Sequence, residues 1–118
     1  MKLSIVCILL LLVCVFSAAS ARAAHQGEEK TVIGYISDSM CGLDHSSMKM
    51  GDDKTCTLKC VDGGAKFILA DRDQKIIYAL DDAAQERARE FAGQKVKVTG
   101  QVDAKAKTIQ VTKIEKAS

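Results

Sequence analysis

The clearest pattern lies toward the C-terminus. From Lys95 to Val102 apolar and polar residues alternate strictly, Val96, Val98 and Val102 on one side and Lys95, Lys97, Thr99 and Gln101 on the other. Period-two alternation predicts a strand with one buried face. Thr108 to Ile114 repeats the pattern through Ile109 and Val111, and Asp103 to Lys107 supplies the turn between them. These five apolar side chains are expected to share one core with Phe91, because a one-residue slip of register would turn them all to solvent.

Upstream the signal changes period. In Ala83 to Ala92, Ala84, Ala88, Phe91 and Ala92 recur at three- and four-residue steps, while Gln85, Glu86, Arg87 and Arg89 face away. This predicts an amphipathic helix, begun by an aspartate of the Asp81-Asp82 pair and closed by Gly93. Ala65 to Ala70 and Lys75 to Leu80 are rich in apolar and β-branched residues around the polar connection Asp71 to Gln74, and predict a hairpin. Thr31 to Asp38 predicts a first strand, with Gly34 as a bend or bulge. Between Ser39 and Gly64 the alternation stops. Asp52 or Asp53 there can cap a short helix running to about Val61.

Three strands, one main helix and two strands in about 85 residues is the order of a mainly β, five-stranded, OB-fold-like Greek-key barrel. An open α+β sheet with the helix across one face is the alternative, since pattern alone does not close a barrel. The 118 residues suit one domain, here residues 31 to 116, with a cysteine-containing loop over 39 to 64. Loops of that length inside compact domains are usually functional or tied down covalently.

The N-terminus changes the reading of the composition. Lys2 is followed by an unbroken apolar run, Ile5 to Phe16, and then by small residues up to Ala24. This pattern predicts a secretory signal peptide over residues 1 to 24, cleaved after Ala21, Ala23 or Ala24, and hence a periplasmic or secreted product. Twelve apolar residues fall short of the ~18 to 20 that cross a bilayer, and Cys7 and Cys14 follow valines rather than the small residue a lipoprotein anchor needs. No stable membrane anchor is expected. Residues 25 to 30 predict a polar, flexible leader. From His25 onward 15 basic residues face 15 acidic ones, which leaves no electrostatic footprint for nucleic acid. The mature aromatics are only Tyr35, Tyr78, Phe67 and Phe91, too few for a base-stacking platform.

Chemistry concentrates in the irregular segment. Cys41 and His45 are four apart, ten residues intervene, and Cys56 and Cys60 are again four apart. On a helix that second spacing puts both thiols on one face, and two such pairs can close a Cys3His site around zinc. Met48 and Met50, with Met40, add soft thioethers that would favour copper(I). An oxidising compartment favours a disulfide instead. Cys56 and Cys60 pair poorly across one helical turn, so a bridge would join Cys41 to either of them and leave one thiol over. A third possibility is a reactive Cys41 thiol beside His45, in a redox or metal-handling enzyme, which requires a depressed pKa. No nucleophile elbow, P-loop or C-x-x-C motif is present. Under the first two readings Cys41, Cys56 and Cys60 converge, since Leu43, Met48, Met50 and Leu58 are too few apolar anchors to order so irregular a stretch. Asp38, Asp44, Asp52 and Asp53 lack EF-hand spacing and read as turn and cap residues.

The stretch Gly34 to Gly42, which contains Ser37-Asp38-Ser39-Met40-Cys41-Gly42, together with the Cys56-x-x-x-Cys60-Val61 pair leading into Gly64 to Phe67 and the closing Gly93 to Gly100, resembles a group of small exported bacterial proteins of unknown function. The resemblance covers about residues 31 to 116 and is most specific in the cysteine segment. It implies export, an OB-like ending and importance for Cys41, Cys56 and Cys60; it implies no reaction. The expected function is therefore a non-catalytic exported module with an unknown ligand or protein partner and a loop organised by a disulfide or by zinc or copper.

Overall fold

The computed structural model describes residues 27–44 and 51–118. Five strands alternate with short helices: β1 (Glu28–Asp38), α1 (Asp53–Asp62), β2 (Phe67–Asp71), β3 (Ile76–Leu80), a 3-10 turn (Asp82–Ala84) running into α2 (Gln85–Arg89), β4 (Lys95–Asp103) and β5 (Thr108–Lys116). They close into a barrel in the order β1-β2-β3-β5-β4. All pairings are antiparallel except β3 with β5, where Ala79 faces Thr108 and Leu80 faces Ile109. That parallel contact, with β1 paired on both sides, gives the OB-like topology and excludes the open sheet.

β1 closes the barrel because it is long enough to serve two neighbours. Its first part, Glu28 to Tyr35, pairs with β4, and its last part, Tyr35 to Asp38, pairs with β2. The bend expected at Gly34 falls at this changeover, where a Cβ would lie 2.7 Å from the Ala70 carbonyl oxygen. The strand begins three residues earlier than the alternation suggests. Glu28, Glu29 and Lys30, expected in a flexible leader, face Val102, Gln101 and Gly100, because β4 extends through Asp103 and offers them its edge.

The core contains Ile36, Phe67, Leu69, Tyr78, Leu80, Val96, Val98, Val102, Ile109 and Val111, closed at one end by Ala84, Ala88 and Ala92, with Phe91 packed against it. The predicted register of the last hairpin is therefore the observed one. The predicted single helix is different. It is a 3-10 turn plus five α-helical residues, and Asp81 does not cap it, because its carboxylate accepts the Val111 N–H at 2.9 Å and ties the turn to β5. Gln85, expected to face away, instead accepts from the Phe67 N–H at 2.8 Å and donates to the Phe67 carbonyl at 3.0 Å, which satisfies the end of β2.

Candidate metal centre

Three short devices bring the cysteines together. The first is the turn that ends β1. Asp38, fully buried, accepts the Met40 and Cys41 N–H groups on Oδ1 at 3.0 and 2.9 Å. The Gly42 N–H donates to the Asp38 carbonyl at 2.9 Å, and the buried Ser37 hydroxyl donates to the Gly42 carbonyl at 2.8 Å. The chain thus reverses immediately after the strand and presents Cys41 back toward the barrel.

The second device is α1. Asp52 caps it by accepting the Thr55 N–H at 2.7 Å, as an N-cap residue does. Cys56, Thr57 and Cys60 form its buried side, so the i, i+4 spacing sets both thiols on one face. The Thr57 hydroxyl, completely buried, has no hydrogen-bond partner among the described residues.

The third device seats the helix. Arg72 lies 4.0 Å over the Tyr35 ring and pairs with Asp53 at 3.0 Å; Arg89 lies 5.5 Å over the Phe67 ring and pairs with Asp62 at 3.0 Å. Both pairs are partly exposed and individually weak, but they grip the two ends of α1 and fix its rotation. Gly93, at φ +74°, lies beneath the first turn, where a Cβ would meet the Lys54 nitrogen at 2.5 Å.

The outcome is a cluster in which the sulfurs of Cys41, Cys56 and Cys60 all lie within 4.8 Å of one another. Cys56 is 1% and Cys60 5% exposed, with Cys41 half-buried. Convergence, predicted from the sequence, is observed. The predicted bridge from Cys41 is not: all three are free thiols, forming a triangle rather than a bonded pair and an outlier. Two thiolates on one tetrahedral ion, at ~2.3 Å each, stand about 3.8 Å apart. A contraction of about 1 Å at most would therefore let one ion hold all three. His45, Met48 and Met50 lie outside the described residues, and Met40 is 67% exposed.

Electrostatics points the same way. Burial pushes all three thiols up from the ordinary cysteine range. The Asp38 carboxylate is the next cause at Cys41 and Cys60, and the charge of Cys60 at Cys56. A nucleophilic thiol needs a neighbour that stabilises its anion. Here burial and the Asp38 charge oppose ionisation of each thiol, a hydrogen bond from a neighbouring cysteine offsets this only in part, and the thiolate forms would gain from a bound cation. The sequence had marked Asp38 as a turn residue, which it is; its burial beside three thiols was not visible there, and neither was the contact between Gly93 and α1.

Compared with protein-family models, with characterised proteins and with solved structures, the chain matches none.

Proposed function

We propose that this protein is an exported, non-catalytic OB-fold-like module whose loop between β1 and β2 is organised by one zinc ion, held by Cys41, Cys56 and Cys60 with His45 as fourth ligand. The observation that carries the reading is the cluster itself: three thiols from two chain segments within 4.8 Å of one another, two of them almost wholly buried. Three clustered thiols, two buried and one half-buried, pushed up by burial and by a carboxylate, gain most from a bound cation that replaces their protons. His45 enters because it stands four residues from Cys41, a spacing that zinc sites use, and completes the four donors a structural zinc prefers. Export rests on the apolar run Ile5 to Phe16 and the small residues that follow it. In an oxidising compartment a bound metal also protects such thiols, since the ion occupies the lone pairs that an oxidant would attack.

Copper(I) is the second reading, supported by Met40, Met48 and Met50 around His45. The test is elemental analysis of protein purified without refolding or added metal from the compartment to which it is delivered. One zinc per chain, lost in Cys56→Ser and Cys60→Ser, is the expected result. One copper per chain selects the second reading. Metal-free protein with a Cys41 disulfide overturns both.

A further inference from the structure

We infer that the open edge of β1 is a docking site for an extended strand of a partner protein, one whose residues alternate between apolar and basic.

The edge follows from the pairing. Residues 28–34 of β1 pair only with β4, because β2 turns into its hairpin at Asp71 and reaches along β1 no further than Tyr35. A strand has two edges, so the second edge of this stretch is unpaired among the described residues. Alternation identifies its groups. Ile36 directs both its N–H and its carbonyl toward residues 93 and 94, on the β4 side. The register with β4 runs without a shift back to Glu28, so Thr31 and Ile33, an odd number of residues away, turn theirs to the open edge. The 3.0 Å contact between the Thr31 and Thr99 hydroxyls agrees, since cross-strand side chains stand closest where the pair exchanges no ladder bonds. Proteins commonly guard an exposed edge with charge, proline or a bulge. Here the charges stop at Lys30, and Ile33 is 47% exposed.

The chemistry of the occupant comes from the groove beside that edge. It has a volume of about 400 Å³ and runs between Thr31 to Ile33 and the β2–β3 turn, with Asp71, Asp73 and the buried Tyr78 on its far side. A strand added to the edge sends alternate side chains to opposite faces. One set lies over Ile33, which favours apolar residues. The other set points toward Tyr78 and the two carboxylates. Neither Asp71 nor Asp73 pairs with a basic side chain among the described residues: Lys30 is engaged by Glu28 at 3.1 Å, and Arg72 by Asp53 and the Tyr35 ring. Lysine or arginine in the second set is therefore attracted and an acidic residue repelled.

The probe is a fluorescein-labelled, N-acetylated hexapeptide of alternating lysine and valine, and its binding to the natively purified chain is followed by fluorescence anisotropy. Saturable binding is expected. Affinity should fall about 10-fold in the double variant Asp71→Asn, Asp73→Asn, and by at least as much when glutamate replaces lysine in the peptide. Asparagine at 71 keeps the acceptor that the Gln74 N–H uses. N-methylation of one alternate set of peptide amides should abolish binding and methylation of the other set should leave it, because only one set faces the edge. Ile33→Pro, which removes an edge N–H and leaves the β4 ladder intact, should also abolish binding; if that variant does not fold, the two methylated peptides decide the matter. No binding at about 1 mM peptide, or equal binding of both methylated peptides, overturns the strand-docking inference. Equal binding of the lysine and glutamate peptides overturns the basic partner. Dimerisation of the chain that Ile33→Pro abolishes would assign the edge to a second copy and overturn the proposed partner. None of these outcomes depends on the metal reading.

Discussion

Gly93→Ala is the substitution that most directly couples the fold to the cysteine cluster. Gly93 closes the segment after α2, donates its N–H to the Ile36 carbonyl at 2.8 Å and carries the first turn of α1 on its Cα. An added methyl meets the Lys54 nitrogen at 2.5 Å, the Lys54 Cα at 2.7 Å and the Asp53 carbonyl carbon at 2.8 Å. All three are backbone atoms, so no flexible side chain can swing aside. The helix start is also tied down, by the Asp52 cap and the Arg72–Asp53 pair. Two costs add: about 1 to 2 kcal/mol for an L-residue in the left-handed region, and about 1 to 3 kcal/mol for overpacking against a backbone that has to move. Reduced freedom of the unfolded chain returns ~0.5 to 1 kcal/mol. The expected loss is about 1 to 4.5 kcal/mol, against a total of roughly 5 to 15 kcal/mol for a domain. Urea unfolding followed by circular dichroism reads it directly. Because the shift displaces α1, and with it Cys56 and Cys60 relative to Cys41, zinc affinity should fall as well. A loss below ~0.5 kcal/mol with unchanged zinc affinity would refute the claim that this contact seats the helix.

The remaining expectations concern the turns, the cap and the thiols. Lys75 and Lys107 hold φ values of +59° and +53° at equivalent points of two hairpins that begin at Asp71 and Asp103; Lys107→Gly should raise the urea midpoint by an equivalent of up to about 1 kcal/mol, and a fall would contradict the assigned turn. The Asp52 carboxyl is held below its usual range by the Thr55 N–H. Its cap is therefore complete above the ordinary carboxylate pKa and lost as pH falls through the lowered value, so helical signal should decline on acidification in wild type but not in Asp52→Asn. The three thiols are pushed up in the folded chain, so metal-free protein should be most stable below the ordinary thiol pKa and lose stability as pH rises through it, where the unfolded chain ionises first. Metal-loaded protein should not show that alkaline loss, and thermal melts from pH 7 to 10 with and without chelator separate the two.

What the sequence revealed and what it concealed divide along the range of the interactions. The alternation of Val96, Val98 and Val102 against Lys95 and Lys97 reports a local fact, which faces are wet, and the facing of the last hairpin was legible, whereas the bulge between Thr99 and Gly100 and the run of β5 to Lys116 were not. The Cys56 and Cys60 spacing is equally local, as is the Asp52 cap. Barrel closure was legible only as an order of elements, because it depends on β1 serving both β2 and β4 and on a two-residue parallel contact between β3 and β5. Gln85 and Asp81 were misassigned for a related reason. Gln85, polar on a helical pattern, reads as solvated, and Asp81 reads with Asp82 as a helix cap, yet each side chain is used by a distant strand, Gln85 by Phe67 and Asp81 by Val111. Asp38 reads as a turn residue from its neighbours, and its effect on three thiols follows only once the turn is folded onto α1.

Counting thiols in the natively purified protein, before and after a strong chelator and without denaturation, tests the central claim most directly. The account predicts little or no reaction of Cys41, Cys56 and Cys60 at first, then three equivalents accompanied by release of one metal ion per chain. A single reactive thiol, unchanged by chelator and raised to three only by reductant, would establish a Cys41 disulfide and contradict the account.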